Sequence, residues 1–297
     1  MRTAMIVLNY NDYETTMKFI ENIINYKSIE KIIIVDNNST DNSYDKLKKL
    51  ESDKVEIIKS HINKGYASGN NLGLRYLENK YAPKYVIISN PDVQFEEEII
   101  NSIENYLEKN DRYSIGTCIM NEVDKTRNLK AYKVSNYNHN IITTLPIIGR
   151  IYNNRMIKYK NDHFAHEYSE VDVVPGSFFI GKLNKLKEVG YFDEDTFLYC
   201  EEEILGYKLK QKGYTEIIVN TQWYQHYHSI SISKSIKSNV DKHRILQESR
   251  EIYIKKYLQV SKIKIGLFKL ISYFSLKERY IIQAIRLTLG RKRNSNE

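Results

Sequence analysis

The feature that most constrains this chain is a series of short strand-like segments, several of them unbroken apolar runs rich in β-branched residues. They are Thr3–Leu8, Lys31–Val35, Val55–Ile58, Tyr85–Ser89 and Tyr113–Cys118. A half-exposed strand would alternate apolar with polar; runs without alternation are strands covered on both faces. Helical patterns separate them: Met17, Ile20, Ile23 and Ile24 at helical spacing, then Tyr44–Leu50, a stretch through Leu77, and Phe95–Leu107. This alternation predicts a doubly wound, mostly parallel α/β sheet. Its crossovers are right-handed, so the carboxyl ends of the strands open on one rim, where such sheets hold ligands.

Three polar clusters fall on that rim. Asp36-Asn37-Asn38-Ser39-Thr40-Asp41 follows the second strand, and Asn63-Lys64-Gly65-Tyr66-Ala67-Ser68-Gly69-Asn70-Asn71 opens the helix through Leu77. The third is Asn90-Pro91-Asp92. Pro91 cannot donate to a ladder and holds Asn90 extended, so pairing stops there and one carboxylate is delivered beyond the stop. Asp92, beside the Asn90 amide, suits a hard divalent cation carrying a diphosphate. The alternative is that Asp92 caps the helix beginning near Phe95.

At 297 residues, 41% hydrophobic and 28% charged, the chain can bury one large domain with an appendage. The net charge of +8 points to anionic ligands or an acidic membrane surface. Cys118 and Cys200 stand far apart without metal-ligand spacing, which argues against zinc and disulfides and fits a reducing compartment. Met1 runs almost directly into a strand and no stretch is long enough to span a bilayer, so a cytoplasmic protein is expected.

Between Asn121 and Glu170 the pattern lapses. Order returns with Val171–Ile180, a strand broken at Pro175-Gly176, and a helix Lys182–Val189 stopped by Gly190. Then follow Gly190-Tyr191-Phe192-Asp193-Glu194 and Tyr199-Cys200-Glu201-Glu202-Glu203, the latter opening a helix that Gly213 ends. Glutamates in a first turn are favoured by the helix dipole alone.

Taken in order, these stretches resemble the family 2 inverting glycosyltransferases of GT-A fold, over roughly residues 3–230. The similarity is greatest to the rhamnosyltransferase-like branch that builds bacterial surface polysaccharides. The carrying motifs are Val35-Asp36-Asn37-Asn38-Ser39-Thr40-Asp41, the Asn63–Asn71 loop, Asn90-Pro91-Asp92, Gly190–Glu194 and Tyr199–Glu203, with His226 later in Gln225-His226-Tyr227-His228-Ser229-Ile230-Ser231. The resemblance implies that Asp36 meets the nucleotide base or its ribose. It also implies donor contacts from Asn9, Asn38, Asn63, Gly65, Asn71 and Asn90. Asp92, with His226, would hold Mg2+ or Mn2+, and Gly176 and Asp193 would lie on the acceptor side. The family writes Y-x-E-D-x-D where this chain has Tyr199-Cys200-Glu201-Glu202-Glu203-Ile204. Glu202 therefore takes the place of the catalytic base, with Glu201 as the alternative register.

The activity implied is transfer from dTDP-rhamnose or a UDP-hexose to a lipid-linked glycan in capsule, O-antigen or cell-wall synthesis. Two other readings are a nucleotidyltransferase, which lacks its usual glycine-rich basic signature here, and a catalytically silent glycan-binding or scaffold subunit. Residues 1–230 would form the catalytic domain, split near 120 into nucleotide-sugar and acceptor halves. Residues 231–297 read as a basic helical extension, with Leu267, Leu270, Ile271, Phe274, Ile281, Ile282, Ile285 and Leu289 at helical spacing. That stripe, over 262–293, suits an anionic membrane surface on the inner face of the cell membrane. It equally suits packing on the domain or in a homodimer. No nucleic-acid module is present.

Overall fold

The computed structural model describes residues 1–122, 128–129, 131–152, 157–227 and 238–294. The chain divides into two compact units, Met1–Val134 with Lys158–Ser235, and Ser135–Ile157 with Ile236–Glu297.

The first unit is built on one sheet. Its N-terminal part contains β1 (Thr3–Asn9), α1 (Tyr13–Ile23), β2 (Lys31–Asp36), α2 (Ser43–Leu47), β3 (Val55–Lys59), α3 (Tyr66–Lys80) and β4 (Tyr85–Ser89). Pairing of β1 with β2 and β4, and of β2 with β3, is parallel throughout. Met5 and Val7 pack on one face with Phe19 and Ile20, while Ala4 and Ile6 pack on the other with Leu74 and Leu77. Both faces are thus covered, which is why Ala4–Leu8, Ile32–Val35 and Tyr85–Ile88 are apolar at every position.

The second part is mixed. It comprises β5 (Val93–Gln94), α4 (Glu98–Glu108), β6 (Tyr113–Glu122) and β7 (Asn128–Leu129), then, after the α5 and α6 of the other unit, β8 (Tyr168–Val171) and β9 (Phe178–Lys182). In the other unit, α5 is Tyr137–Thr144 and α6 is Ile148–Ile151. The sheet unit closes with α7 (Leu183–Glu188), α8 (Glu201–Gln211) and β10 (Thr215–His226). The strand order is β3-β2-β1-β4-β9-β6-β10-β5, with β7 on β6 and β8 on β10. Only β6 and β10 pair in parallel here; β9 runs antiparallel to β4 and β6, as do β5 and β8 to β10.

The helix expected from Phe95 begins at Glu98, because Val93 and Gln94 first pair with His226 and Gln225. Its N-cap is Glu97, so Asp92 does not cap it.

The second unit is helical. Besides α5 and α6 it contains α9 (Asn239–Ile252), a π-helical turn Tyr253–Tyr257, and α10 (Lys262–Asn294). Tyr253 donates its hydroxyl to the Ser135 carbonyl at 2.8 Å, and Tyr137 to that of Lys264 at 2.7 Å. Phe268 and Ser275 are buried, whereas Ile263, Leu267, Leu270, Phe274, Ile281 and Ile285 lie exposed along α10. Among the described residues no helix is long and apolar enough to cross a membrane.

Candidate active site

Each polar cluster stands where its strand ends. At the end of β1, Asn9 donates to Asp36 Oδ1 at 3.1 Å and to Ser39 Oγ at 3.3 Å, while accepting from Thr16 Oγ1 at 2.9 Å. Asp36 is fully buried and accepts from the Ser39 hydroxyl at 2.5 Å and its amide at 3.1 Å. Asn38 adopts a left-handed φ of 60°, its N–H turned back to the Asp36 carbonyl at 2.9 Å. Asn tolerates that conformation better than other side chains. Neighbouring Asn37 joins this turn to the next cluster, donating to Asn63 Oδ1 and to the Gly65 carbonyl, both at 3.1 Å.

Gly65 is the tightest point of the rim. Its φ is +96°, and a Cβ there would stand 1.9 Å from the Phe197 carbonyl oxygen. No other residue fits, on backbone and on space. Next along, the Tyr66 amide donates to Phe197 O at 3.0 Å and its hydroxyl to Gly176 O at 2.7 Å. The Asn63 loop is therefore fastened to two segments that precede the acidic helix start, at Gly176 and at Phe197.

Asn71 lies deeper. Its amide exchanges hydrogen bonds with the Phe192 backbone, both at 3.0 Å, and donates to Glu194 Oε1 at 2.9 Å. It ties α3 to the turn in which buried Asp193 accepts from the Asp195 amide at 3.1 Å.

Asp92 and His226, far apart in sequence, meet. The pairing of β5 with β10 sets Val93 opposite His226 and brings the Tyr227 amide to the Asp92 carbonyl at 2.9 Å. Asp92 Oδ1 is 3.2 Å from His226 Nε2, and both residues are 7% exposed. Asn90 N–H donates to the Ser177 carbonyl at 2.8 Å, which sets this corner beside Gly176. His228, Ser229 and Ser231 lie outside the described residues.

A carboxylate oxygen and an imidazole nitrogen suit Mn2+, and the carboxylate suits Mg2+. Among the described residues no trio of His, Cys, Asp or Glu could hold a metal ion by itself. Asp92 and His226 thus fit a cation whose remaining positions are filled by a ligand's oxygens and water.

The acidic helix start lies against Gly176. Tyr199 and Cys200 both take left-handed φ values, 73° and 66°, just before α8. Such conformations cost about 1–3 kcal/mol each and persist only where the surroundings enforce them. Glu201 is buried, 3% exposed, and its Oε1 has no hydrogen-bond partner among the described residues. Burial, with the charge of Glu202, pushes its carboxyl up to about 8. Glu202 is half-buried and leans over Gly176, its Oε2 3.8 Å from where a Cβ on that glycine would lie. Burial raises its pKa, and a hydrogen bond from Tyr132 partly offsets this.

Beneath, Glu216 is buried and accepts the Val174 amide at 2.7 Å; desolvation holds its carboxyl well above the usual range. Tyr132 and Glu216 carried no sequence signal, the first lying in an irregular stretch and the second in an apolar run. Tyr66 could have been found, as the lone aromatic of the glycine-rich loop.

A parallel half-sheet whose rim meets an aspartate–histidine pair and an acidic helix start defines the class of GT-A glycosyltransferases. The fold is that of the Pyrobaculum calidifontis mannosyltransferase PcManGT, solved with GDP-Man and Mn2+ (TM-score 0.58, 13% identity, covering 97% of this chain and 75% of that one). It is likewise that of the S. aureus TarS 1-349 complex with UDP-GlcNAc (TM-score 0.56, 14% identity, 94% and 73%). The chain belongs to glycosyl transferase family 2, whose sequence profile matches residues 4–180, in agreement with the resemblance drawn from its motifs.

Curated relatives include the low-salt glycan biosynthesis hexosyltransferase Agl10 of Haloferax volcanii, 22% identical over 210 residues (71% of this chain, 62% of that protein). Another is the rhamnosyltransferase WbbL of Escherichia coli, 26% identical over 157 residues (50% and 55%). A third, WfaP of Escherichia coli, is 32% identical over 80 residues (26% and 32%) and is named a UDP-Glc:alpha-D-GlcNAc-diphosphoundecaprenol beta-1,3-glucosyltransferase. The matches span less than two thirds of these proteins' own lengths.

Proposed function

We propose that the chain transfers a hexose or deoxyhexose, with inversion, from a nucleoside-diphosphate sugar to a hydroxyl of a lipid-linked glycan in surface-polysaccharide synthesis. The observation that carries this reading is the fastening of the Gly65–Tyr66 loop to Phe197 and to Gly176, the glycine over which Glu202 leans. A donor seated along Asn9, Asp36, Asn38 and Asn63 then has its diphosphate near the N-terminus of α3 and Asp92, where anions are favoured. The donor's base or ribose lies toward Asp36, and dTDP-rhamnose and UDP-hexoses are the candidates.

Glu202 takes the proton of the acceptor hydroxyl as its oxygen attacks the anomeric carbon and the bond to the diphosphate breaks. Glu202 suits the role better than Glu201, being the one that reaches the surface at Gly176. Its raised pKa makes it a stronger base than an ordinary carboxylate. Tyr132 orients it, and Gly176 leaves room for the acceptor. Asp92 and His226 would hold a divalent cation, Mn2+ or Mg2+, which would supply neutralisation of the departing diphosphate. Release of nucleoside diphosphate in the presence of a glycan acceptor, abolished in Glu202→Gln, is the test.

The exposed row Ile263, Leu267, Leu270, Phe274, Ile281 and Ile285 supports a membrane-lying α10 in this reading. Lys262, Lys264, Lys269 and Lys277 on the same helix complement anionic headgroups, bringing the protein to a lipid-borne acceptor. Sedimentation with phosphatidylglycerol vesicles, lost at high salt or in Leu270→Asp/Phe274→Asp, checks this. Vesicle binding unchanged in the double variant would count against it.

A further inference from the structure

The outer face of β10 is built for a different ligand. Tyr224 and His226 point inward and are buried, whereas the alternate residues Trp223 and Tyr227 are 58% and 44% exposed. Just before them the pairing with β6 slips: Val219 stands opposite Cys118, yet Trp223 stands opposite Ile119, the next residue. Asn220, Thr221 and Gln222 are thrown out as a bulge, a device that re-aims side chains beside functional sites.

Between this bulge and the start of α4 lies a cleft of about 400 Å3, within the range of small-ligand sites. Trp223, Tyr227, Gln94, Gln222, Gln225 and Glu96 line it. Gln222 Oε1 is buried and has no hydrogen-bond partner among the described residues. A buried acceptor left unmatched costs about 1–3 kcal/mol, which a ligand hydroxyl would recover once the Gln222 side chain turned its oxygen to the cleft.

The charge is equally informative. The chain carries +8, yet no lysine or arginine is among the described residues lining this cleft. Phosphates, nucleic acid and acidic lipid are ill matched to it. Two exposed aromatic rings offer apolar faces, and three glutamines with two glutamates, Glu96 and Glu98, offer hydrogen bonds in both directions. A pyranose presents C–H faces and a belt of hydroxyls, the complement of both.

We propose that this cleft binds a neutral saccharide unit of a glycan chain, apart from the site of transfer. Gln94 is the second residue after Asp92, about 7 Å of extended chain away. The saccharide unit is therefore a sugar of the acceptor remote from the reacting hydroxyl, and that assignment rests on the transfer reading above.

Trp223 is the single tryptophan of the chain, so emission excited at the long-wavelength edge, where the 25 tyrosines do not absorb, reports on this cleft. The full chain is titrated with maltotetraose, mannotetraose and chitotetraose, with a heparin tetrasaccharide as the anionic control. At least one neutral tetrasaccharide shifts the emission to the blue and shields it from acrylamide, and the heparin fragment does neither. Gln222→Ala, checked for an unchanged melting temperature, weakens binding about tenfold, and Trp223→Ala does so in calorimetry. No spectral response to any neutral tetrasaccharide, or equal affinity in Gln222→Ala, overturns the proposal. Donor hydrolysis is followed in the same samples. Hydrolysis without saccharide binding removes only the cleft, whereas saccharide binding without hydrolysis removes the transfer reading and leaves the cleft.

Discussion

The two halves of the sheet solve different problems with the same strands. From β1 to β4 every pairing is parallel and both faces are covered, so the rim is placed by a repeated local rule. From β9 to β5 the sheet is mixed, and side chains are placed by particular long-range pairings such as Val93 with His226. The first half lays out a row of backbone turns rich in asparagine and glycine. The second delivers the ionisable groups: the Asp92–His226 corner and the glutamates at the start of α8. The contrast teaches that a rim of turns follows from local sequence, while these ionisable groups need contacts that cross the chain.

The contrast is broken most severely at Glu202. Glu202→Gln is expected to cut nucleoside diphosphate release by about 10²–10⁴-fold, the usual worth of a general base, with donor affinity kept. Retained turnover would move the chemistry out of the second half. Asp92→Ala and His226→Ala come next, weakening Mn2+-dependent nucleotide binding in calorimetry by more than about tenfold. Equal affinity with and without the metal would remove that corner from the donor site.

Gly65→Ala tests the fastening between the halves. A left-handed backbone and a collision with Phe197 O together are expected to destabilise by about 3 kcal/mol in urea unfolding. Donor KM is expected to rise with it.

The smallest effect concerns Glu201. Activity should rise with pH above the ordinary carboxylate range, because the burial of Glu201 and Glu202 favours their protonated forms. Glu201→Gln removes the titration of Glu201 from that limb and leaves that of Glu202. Its stability effect has a definite sign. The folded carboxyl holds its proton up to about 8, against a model-compound value of 4.5, so the folded state binds more protons between these values. Wild-type stability therefore falls, relative to the variant, as pH rises through that window. Thermal melts of both proteins at pH 5 and about pH 8 read the difference.

The first half was legible because burial on both faces writes itself into every residue of a run, as in Ile32-Ile33-Ile34-Val35. The end of β4 at Asn90-Pro91 was legible from proline alone. β5 was not: two residues, Val93 and Gln94, owe their strand character to a partner late in the chain. Nor was the antiparallel run of β9, since a buried strand reads the same in either direction. The bulge at Asn220–Gln222 and the hydrogen bond from Tyr132 to Glu202 arise from tertiary pairing and leave no periodic trace. The departure at Glu201-Glu202 was visible as letters, but which of the two reaches the surface required the left-handed turn at Tyr199 and Cys200.

The contact of Gly65 with the Phe197 carbonyl has a bearing on how such enzymes can be recombined. Transplanting the asparagine-rich loop from a relative, in the hope of changing the sugar used, would leave its backbone seated on a foreign ledge. Grafts that carry the loop and the stretch from Phe197 to Glu202 as one cassette keep that seat intact. They are the ones that should yield folded chimeras.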